Sequence, residues 1–345
     1  MTHRHALALF AAAALALAPG CERLVERQIE RNLERVDESV LASPDLQVVL
    51  CGTGSPLPDP ARAAACTAVI AAGHFVLVDV GPGAWETLDL ANLPIGRVEA
   101  VLLTHFHSDH IGELGEAATQ GWIAGRAAPL EVFGPPGTAR VVAGFAEAYA
   151  ADVDARVAHH GEEWMPRAAS GAVARELPMP EGAAATPVFE RDGLRVTMFA
   201  VDHEPVAPAV GYRFDFAGRS VVVSGDTRKS ASLAAHARGA DLLVHEALQP
   251  DLVGRANQAA RRLGRERLAK LAGDIPDYHA SPVQAAELAR EASVAHLVLT
   301  HLVPAPPNAL ARRMFLAGVA DAYHGEVTLG EDGMRFSLPP AAAAR

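Results

Sequence analysis

Short apolar runs separated by glycine and proline fill the first part of the chain after residue 46. Segments 47–51, 67–71 and 75–79 read as strands. A helix is predicted around 84–90. The continuous apolar run 98–104 (VEAVLLT) then predicts a buried strand. Helical spacing begins again at 111–120 and at 138–149. Residues 151–190 are charged and rich in Ala and Pro, with His159-His160-Gly161 in their middle, and show no readable period. Strands resume at 194–201, 210–216 and 220–224, and a helix at 230–237 precedes a strand at 241–245. Helices follow at 254–272 and 281–291, the second opened by Ser281 as cap and Pro282 in its first turn. A strand at 296–300, a helix at 309–317 and two strands at 326–329 and 334–338, expected to pair as a hairpin, close the pattern. The order predicts an α/β fold with two mixed sheets sandwiched between helices in one domain over 46–338, followed by a disordered tail at 339–345.

The N-terminal region has a different texture. Residues 6–18 are small and apolar after Arg4, too short a run to span a bilayer and of the length of a signal-peptide core. A signal peptide is therefore expected over 1–20. Ala18-Pro19-Gly20-Cys21 resembles a lipoprotein cleavage site, which would lipidate Cys21, attach the chain to a membrane and place it in the periplasm or cell envelope. Leu24, Ile29, Leu33, Val36 and Val40 recur at helical spacing among Glu and Arg, predicting a charged tether helix within 21–45. Cys51 and Cys66 fall in strand-like runs and are expected to be buried and inert.

Composition narrows the function. The 345 residues carry 30 Lys+Arg against 41 Asp+Glu, a net charge of -11, and half of them are apolar. That is ample for a large core and excludes a disordered chain or a disulfide-stapled miniprotein. An acidic chain with no Lys/Arg-rich tract argues against nucleic acid as a partner.

The chemistry concentrates in Thr104-His105-Phe106-His107-Ser108-Asp109-His110, directly after a predicted strand. In an extended segment His105 and His107 point the same way, and the turn that follows lets Asp109 and His110 address a neighbouring position. Further ligand types stand at later strand ends: His203, Asp226 and His301. The carboxylate of Asp226 has two oxygens and can bridge. One divalent ion is expected on His105, His107, His203 and Asp226, and a second on Asp109, His110, His301 and Asp226. A shared water between them would ionise near neutral pH. Histidine and carboxylate donors suit Zn2+, with Mn2+ or Fe2+ as substitutes.

These residues belong to a wider set: Gly52-Thr53-Gly54-Ser55-Pro56, Asp79-Val80-Gly81-Pro82-Gly83, Gly211-Tyr212-Arg213, SGDT at 224–227, HEA at 245–247, His279 with Ser281-Pro282, and Thr300-His301. Over about residues 46–338 the chain resembles the metallo-β-lactamase superfamily, in the branch of ribonuclease Z-like phosphodiesterases and arylsulfatases. The resemblance implies a four-layer αβ/βα sandwich with two metals at the sheet edges. It implies that Asp79 orients a metal ligand and that His279 is a general acid or phosphoryl-oxygen donor. Glu246 either orients His279 or packs beside His245. Asp109, within the ligand set, His279 and Glu246 are the expected catalytic groups.

The implied activity is hydrolysis of small phosphodiesters by a metal-bridging hydroxide, with sulfate-ester hydrolysis as the alternative. Members that process transfer RNA carry a long basic arm between the third ligand histidine and the bridging Asp. Here the 23 residues from His203 to Asp226 leave no room for it. With the acidic charge and the export signal, this sets a small-molecule ester above nucleic acid as substrate. A lactonase and a non-catalytic envelope protein rank lower, and the oligomeric state stays open, with a homodimer the form that relatives commonly take. His159 and His160 are expected in a solvated loop.

Overall fold

The computed structural model describes residues 19–342. The expected signal-peptide core lies outside the described residues. Residues up to Asp37 form a unit of their own, in which the helix Pro19–Leu33 exposes Leu24, Val25 and Ile29. The side chain of Cys21, on that helix, is also outside the described set.

The second unit, from Glu38, contains fourteen strands. In the first half these are β1 (Leu46–Gly52), β2 (Cys66–Ala71), β3 (His74–Val78), β4 (Val98–Leu102), β5 (Leu130–Gly134) and β6 (Ala172–Glu176). In the second they are β7 (Ala185–Arg191), β8 (Leu194–Ala200), β9 (Val210–Phe216), β10 (Arg219–Val223), β11 (Leu242–Leu248), β12 (His296–Val303), β13 (Glu326–Leu329) and β14 (Arg335–Leu338). One sheet has the order β14-β1-β2-β3-β4-β5-β6 and the other β13-β12-β11-β10-β9-β8-β7.

Each sheet combines antiparallel neighbours with parallel ones. β3, β4, β5 and β6 pair in parallel in the first sheet, and β10, β11, β12 and β13 do so in the second. Parallel strands are covered on both faces, which is why 100–103 reads as an unbroken apolar run and every residue of β11 is buried. Alternate side chains meet between the sheets: Val48, Leu50, Val76, Val78 and Leu102 from one, Val196, Met198, Phe214, Val221 and Val244 from the other. The outer faces pack on helices. Ala84–Leu90 and Leu114–Ile123 cover the first sheet, and Pro282–Glu291 and Ala309–Phe315 the second. Each large aliphatic side chain so buried contributes about 1.5–3 kcal/mol. The result is the expected αβ/βα sandwich.

Several local expectations are corrected. β13 and β14 do not form a hairpin: β13 lies parallel to β12, whereas β14 lies antiparallel to β1 in the other sheet. The connecting turn crosses between sheets at Gly330, whose N–H donates to the Leu299 carbonyl and where a Cβ would approach that oxygen to 2.8 Å. Alternation had specified two strands but not their partners.

The helix predicted at 138–149 extends over Thr138–His160, so His159 and His160 occupy an exposed helical end rather than a loop. Its second half is largely solvated, and Val153 and Val157, four residues apart, pack against Trp122, Met165 and Ala169. Beyond β14 the chain remains ordered through Ala341: Arg219 Nε donates to the Pro339 carbonyl and the Ala341 N–H to that of Ala217.

Cys51 and Cys66 are buried as expected but joined in a disulfide, with Cα atoms 4.9 Å apart. β1 and β2 pair in register through Leu50 and Thr67, and then a bulge at Cys51 sets Gly52 opposite Cys66. That irregularity swings the two sulfurs together, and separate readings of each strand do not reveal it.

Candidate metal centre

β4 delivers the first ligands. Its chain continues extended through His107 and then enters the short helix Ser108–Ile111, whose first turn carries Asp109 and His110. The change from extended to helical backbone is what splits the motif into two pairs. His203 follows β8. Asp226 follows β10 after Gly225, which has φ +61 and lies so close to the Val210 carbonyl that a Cβ would stand 2.7 Å from it. Glycine is required there by both conformation and space. His301 lies at a bulge in β12, between the register pairs Glu246–Thr300 and Ala247–Leu302, with φ +46. The bulge turns the imidazole out of strand alternation and toward the site.

These elements bring together donors from His105, His107, His203 and Asp226, all within 4.8 Å of one another, and likewise those of Asp109, His110 and His301. Asp226 Oδ2 links the two groups. It stands 3.8 Å from Nε2 of both His105 and His203, 3.3 Å from His110 Nε2 and 3.4 Å from His301 Nε2. Two donors each about 2.1 Å from one tetrahedral ion are about 3.4 Å apart, so these separations suit shared cations. Nε2 of His105, His110 and His203 and Oδ1 of Asp226 are buried without a hydrogen-bond partner. Burying so many lone pairs unsatisfied would be costly, and a pair of divalent ions supplies what they lack. The donor set fits two such ions, zinc foremost.

The electrostatics agree. Burial pulls the imidazoles of His105, His107 and His203 below the ordinary histidine range, keeping them neutral and able to ligate. Burial acts the same way on His110, but the carboxylates of Asp226 and Asp79 outweigh it and raise its pKa, so a cation there must displace a proton. Burial would push the Asp226 carboxyl up, yet His301, His110 and His105 together hold it well below its usual range.

Around the donors lies a layer of orienting bonds. Asp79 Oδ2 accepts from His110 Nδ1 at 2.7 Å and from Thr104 Oγ1 at 2.7 Å, and its Oδ1 accepts from the Thr104 N–H at 2.8 Å. The His110 bond directs Nε2 at the site. His203 Nδ1 donates to the Tyr278 carbonyl at 2.9 Å, and Thr104 Oγ1 lies 3.0 Å from His105 Nδ1. Thr104 and Tyr278 were not anticipated. Thr104 was visible as the residue before His105, whereas a backbone carbonyl such as that of Tyr278 carries no sequence signal.

Glu246 faces His279, not His245. Its Oε1 accepts from His279 Nδ1 at 2.9 Å and from the Thr227 N–H at 3.0 Å, while His245 Nδ1 turns to the Glu246 backbone carbonyl. His279 also lies within 4.8 Å of Asp226 and His301. Burial lowers the His279 pKa, but the adjoining Glu246 carboxylate more than offsets it and raises the value to about 9. Beside Asp109 opens a cavity of about 720 Å³ bounded by Pro56, Leu57, Pro60, Arg62, Pro82 and Ser108. His159 and His160 do not line it.

Comparison with known proteins agrees with this architecture. Residues 74–302 match the beta-lactamase superfamily domain. The chain is 40% identical over 296 residues to "Ribonuclease Z" of Mycobacterium avium (strain 104), covering 85% of this chain and 98% of that one. It is 37% identical over 298 residues to "Ribonuclease Z" of Mycobacterium bovis (strain BCG / Pasteur 1173P2), covering 86% and 99%. The crystal structure of human tRNase Z, short form, superposes with a TM-score of 0.59 at 22% identity, covering 85% of this chain and 99% of that one, and shares the fold. The kinship overturns the expectation that nucleic acid is an improbable partner: acidic net charge is a property of the whole surface and does not describe the surface near the site. The expected lipid attachment at Cys21 finds no support among the described residues. The chain belongs to the metallo-β-lactamase superfamily and is a dinuclear-metal hydrolase related to ribonuclease Z.

Proposed function

We propose that this hydrolase cleaves phosphodiester bonds, with RNA among its substrates. The observation that carries the reading is the buried Glu246–His279 pair set beside the two ligand groups, because it provides a proton donor distinct from the metal ligands. The ions, when bound, supply a hydroxide nucleophile near neutral pH and positive charge to offset the phosphoryl oxygens.

The chain's own residues do the rest. Glu246 holds the Nδ1–H of His279, leaving Nε2 to carry a proton toward the departing oxygen. The same carboxylate raises the His279 pKa and so favours its protonated form. Asp79 fixes the tautomer of His110, and the Tyr278 carbonyl fixes that of His203, so both rings present Nε2 inward. Asp109, bonded to His301 Nε2 at 3.2 Å, borders the open cleft.

Export to an oxidising compartment is part of the proposal. It is supported by the apolar stretch at 6–18 and by the Cys51–Cys66 disulfide, a bond rare in reducing cytosol.

The test is a parallel assay of metal-loaded protein on bis(p-nitrophenyl) phosphate, a transfer-RNA precursor and p-nitrophenyl sulfate, with Asp226→Ala as blank. Cleavage of the diester or the RNA, lost in the variant, is the expected result. Preference for the sulfate overturns it.

A further inference from the structure

Residues 250–274 leave the metal centre and return to it. After β11, which carries Glu246, the helix Pro250–Arg262 runs outward. The chain turns at Gly264, with φ +66, and Glu266–Asp274 runs back toward Tyr278 and His279. The 2.9 Å contact between Glu246 and His279 closes the base of this excursion. The two helices bury Val253, Ala260 and Ala269, and Asn257 Nδ2 donates to the Ala269 carbonyl, so their other faces meet solvent.

Those faces are basic. Arg255, Arg261, Arg262, Arg265, Arg267 and Lys270 are all exposed, against three acidic residues in the same segment, in a chain whose net charge is -11. Lys270 pairs with Asp274, and Arg261 Nε donates to Asn257. Among the described residues, Arg255, Arg262, Arg265 and Arg267 make no ion pair, in contrast to Arg191 with Glu131 or Arg228 with Asp202. Four of the six basic residues, Arg261, Arg262, Arg265 and Arg267, fall in the run RRLGRER at 261–267, which corrects the expectation that the chain holds no Lys/Arg-rich tract, and Lys270 follows on the second helix.

We propose that this helical hairpin docks the phosphate backbone of an RNA substrate and stands in for the arm that the short His203–Asp226 interval leaves out, a proposal that rests on the phosphodiester reading. The first helix, 13 residues long, is about 20 Å in length. About six stacked nucleotides at 3.4 Å span that distance. Charge complementarity selects a polyanion. The shared segment with His279 selects one that holds a scissile phosphodiester, since a strand laid along the hairpin leads into the centre. Leu263, Leu268 and Leu271 are exposed on the same hairpin and would suit an anionic membrane, which would bring the centre no substrate.

The experiment measures binding apart from cleavage. Metal-loaded full-length protein is titrated with a fluorescein-labelled phosphorothioate hairpin RNA bearing a single-stranded 3′ extension, over a range of salt. The fourfold variant Arg255→Gln/Arg262→Gln/Arg265→Gln/Arg267→Gln is compared with the unmodified chain. Its affinity is expected to fall about tenfold or more, and its slope of log affinity against log salt to lessen by about 3, with kcat/KM on bis(p-nitrophenyl) phosphate unchanged. Equal RNA affinity in both proteins overturns the proposal, as does an equal loss of RNA binding and small-diester cleavage, which signals a structural role. Binding to phosphatidylglycerol vesicles that Leu263→Ser/Leu268→Ser abolishes, with RNA affinity indifferent to the arginines, overturns it in favour of a membrane surface. Arginine-dependent RNA binding by a protein that cleaves no diester leaves the docking surface standing and removes the catalytic reading.

Discussion

One oxygen of Glu246 accepts both from His279 Nδ1, at 2.9 Å, and from the N–H of Thr227, at 3.0 Å. Thr227 is the residue after Asp226, so a single buried carboxylate ties the proton donor to the segment that bears the bridging ligand. Substitution of Glu246 by Gln keeps the shape and weakens the hold on His279. A fall in kcat of about 10- to 100-fold with unchanged metal content is expected. Equal damage to metal content, read by elemental analysis, would instead assign Glu246 to the ligand scaffold.

His279→Ala separates proton donation from binding. The loss should be about 10²- to 10⁴-fold for an alkyl leaving group, which needs a proton, and far smaller for p-nitrophenolate, which does not. A Brønsted plot across leaving groups checks this. A uniform loss contradicts the assignment.

Asp79 supports His110 and not the reacting atoms. Asp79→Ala should lower metal affinity by about 10- to 100-fold, with activity restored at saturating zinc. Competition with a chromophoric chelator measures it. Activity that stays low at full occupancy would mean that Asp79 does more than orient a ligand.

The Cys51–Cys66 bond closes a loop with a sequence separation of 15, for which the chain-entropy estimate is about 3 kcal/mol of stability. Cys51→Ala/Cys66→Ala should unfold at lower denaturant with its diesterase rate under native conditions preserved. Urea melts of the two proteins decide it.

The ligand set was legible in the chain because its segments follow strands, His105 after β4, His203 after β8 and Asp226 after β10, except His301, which a bulge within β12 turns toward the site. The sheets were legible for the same reason, since apolar alternation marks buried faces. Partnerships were not. The bulge that joins Cys51 to Cys66 and the crossing at Gly330 that separates β13 from β14 both depend on three-dimensional register, whereas the arginines of RRLGRER at 261–267 stand together in the sequence itself. The Tyr278 carbonyl that orients His203 could stand under any side chain.

The central claim is that two ions, held in common by Asp226, make the catalyst. Chelator-stripped protein titrated with zinc while bis(p-nitrophenyl) phosphate hydrolysis is followed tests it most directly. Activity that rises to a plateau at two equivalents per chain, and that no amount of zinc restores in Asp226→Ala, is the predicted result. A plateau at one equivalent, or hydrolysis that persists without metal, would contradict it.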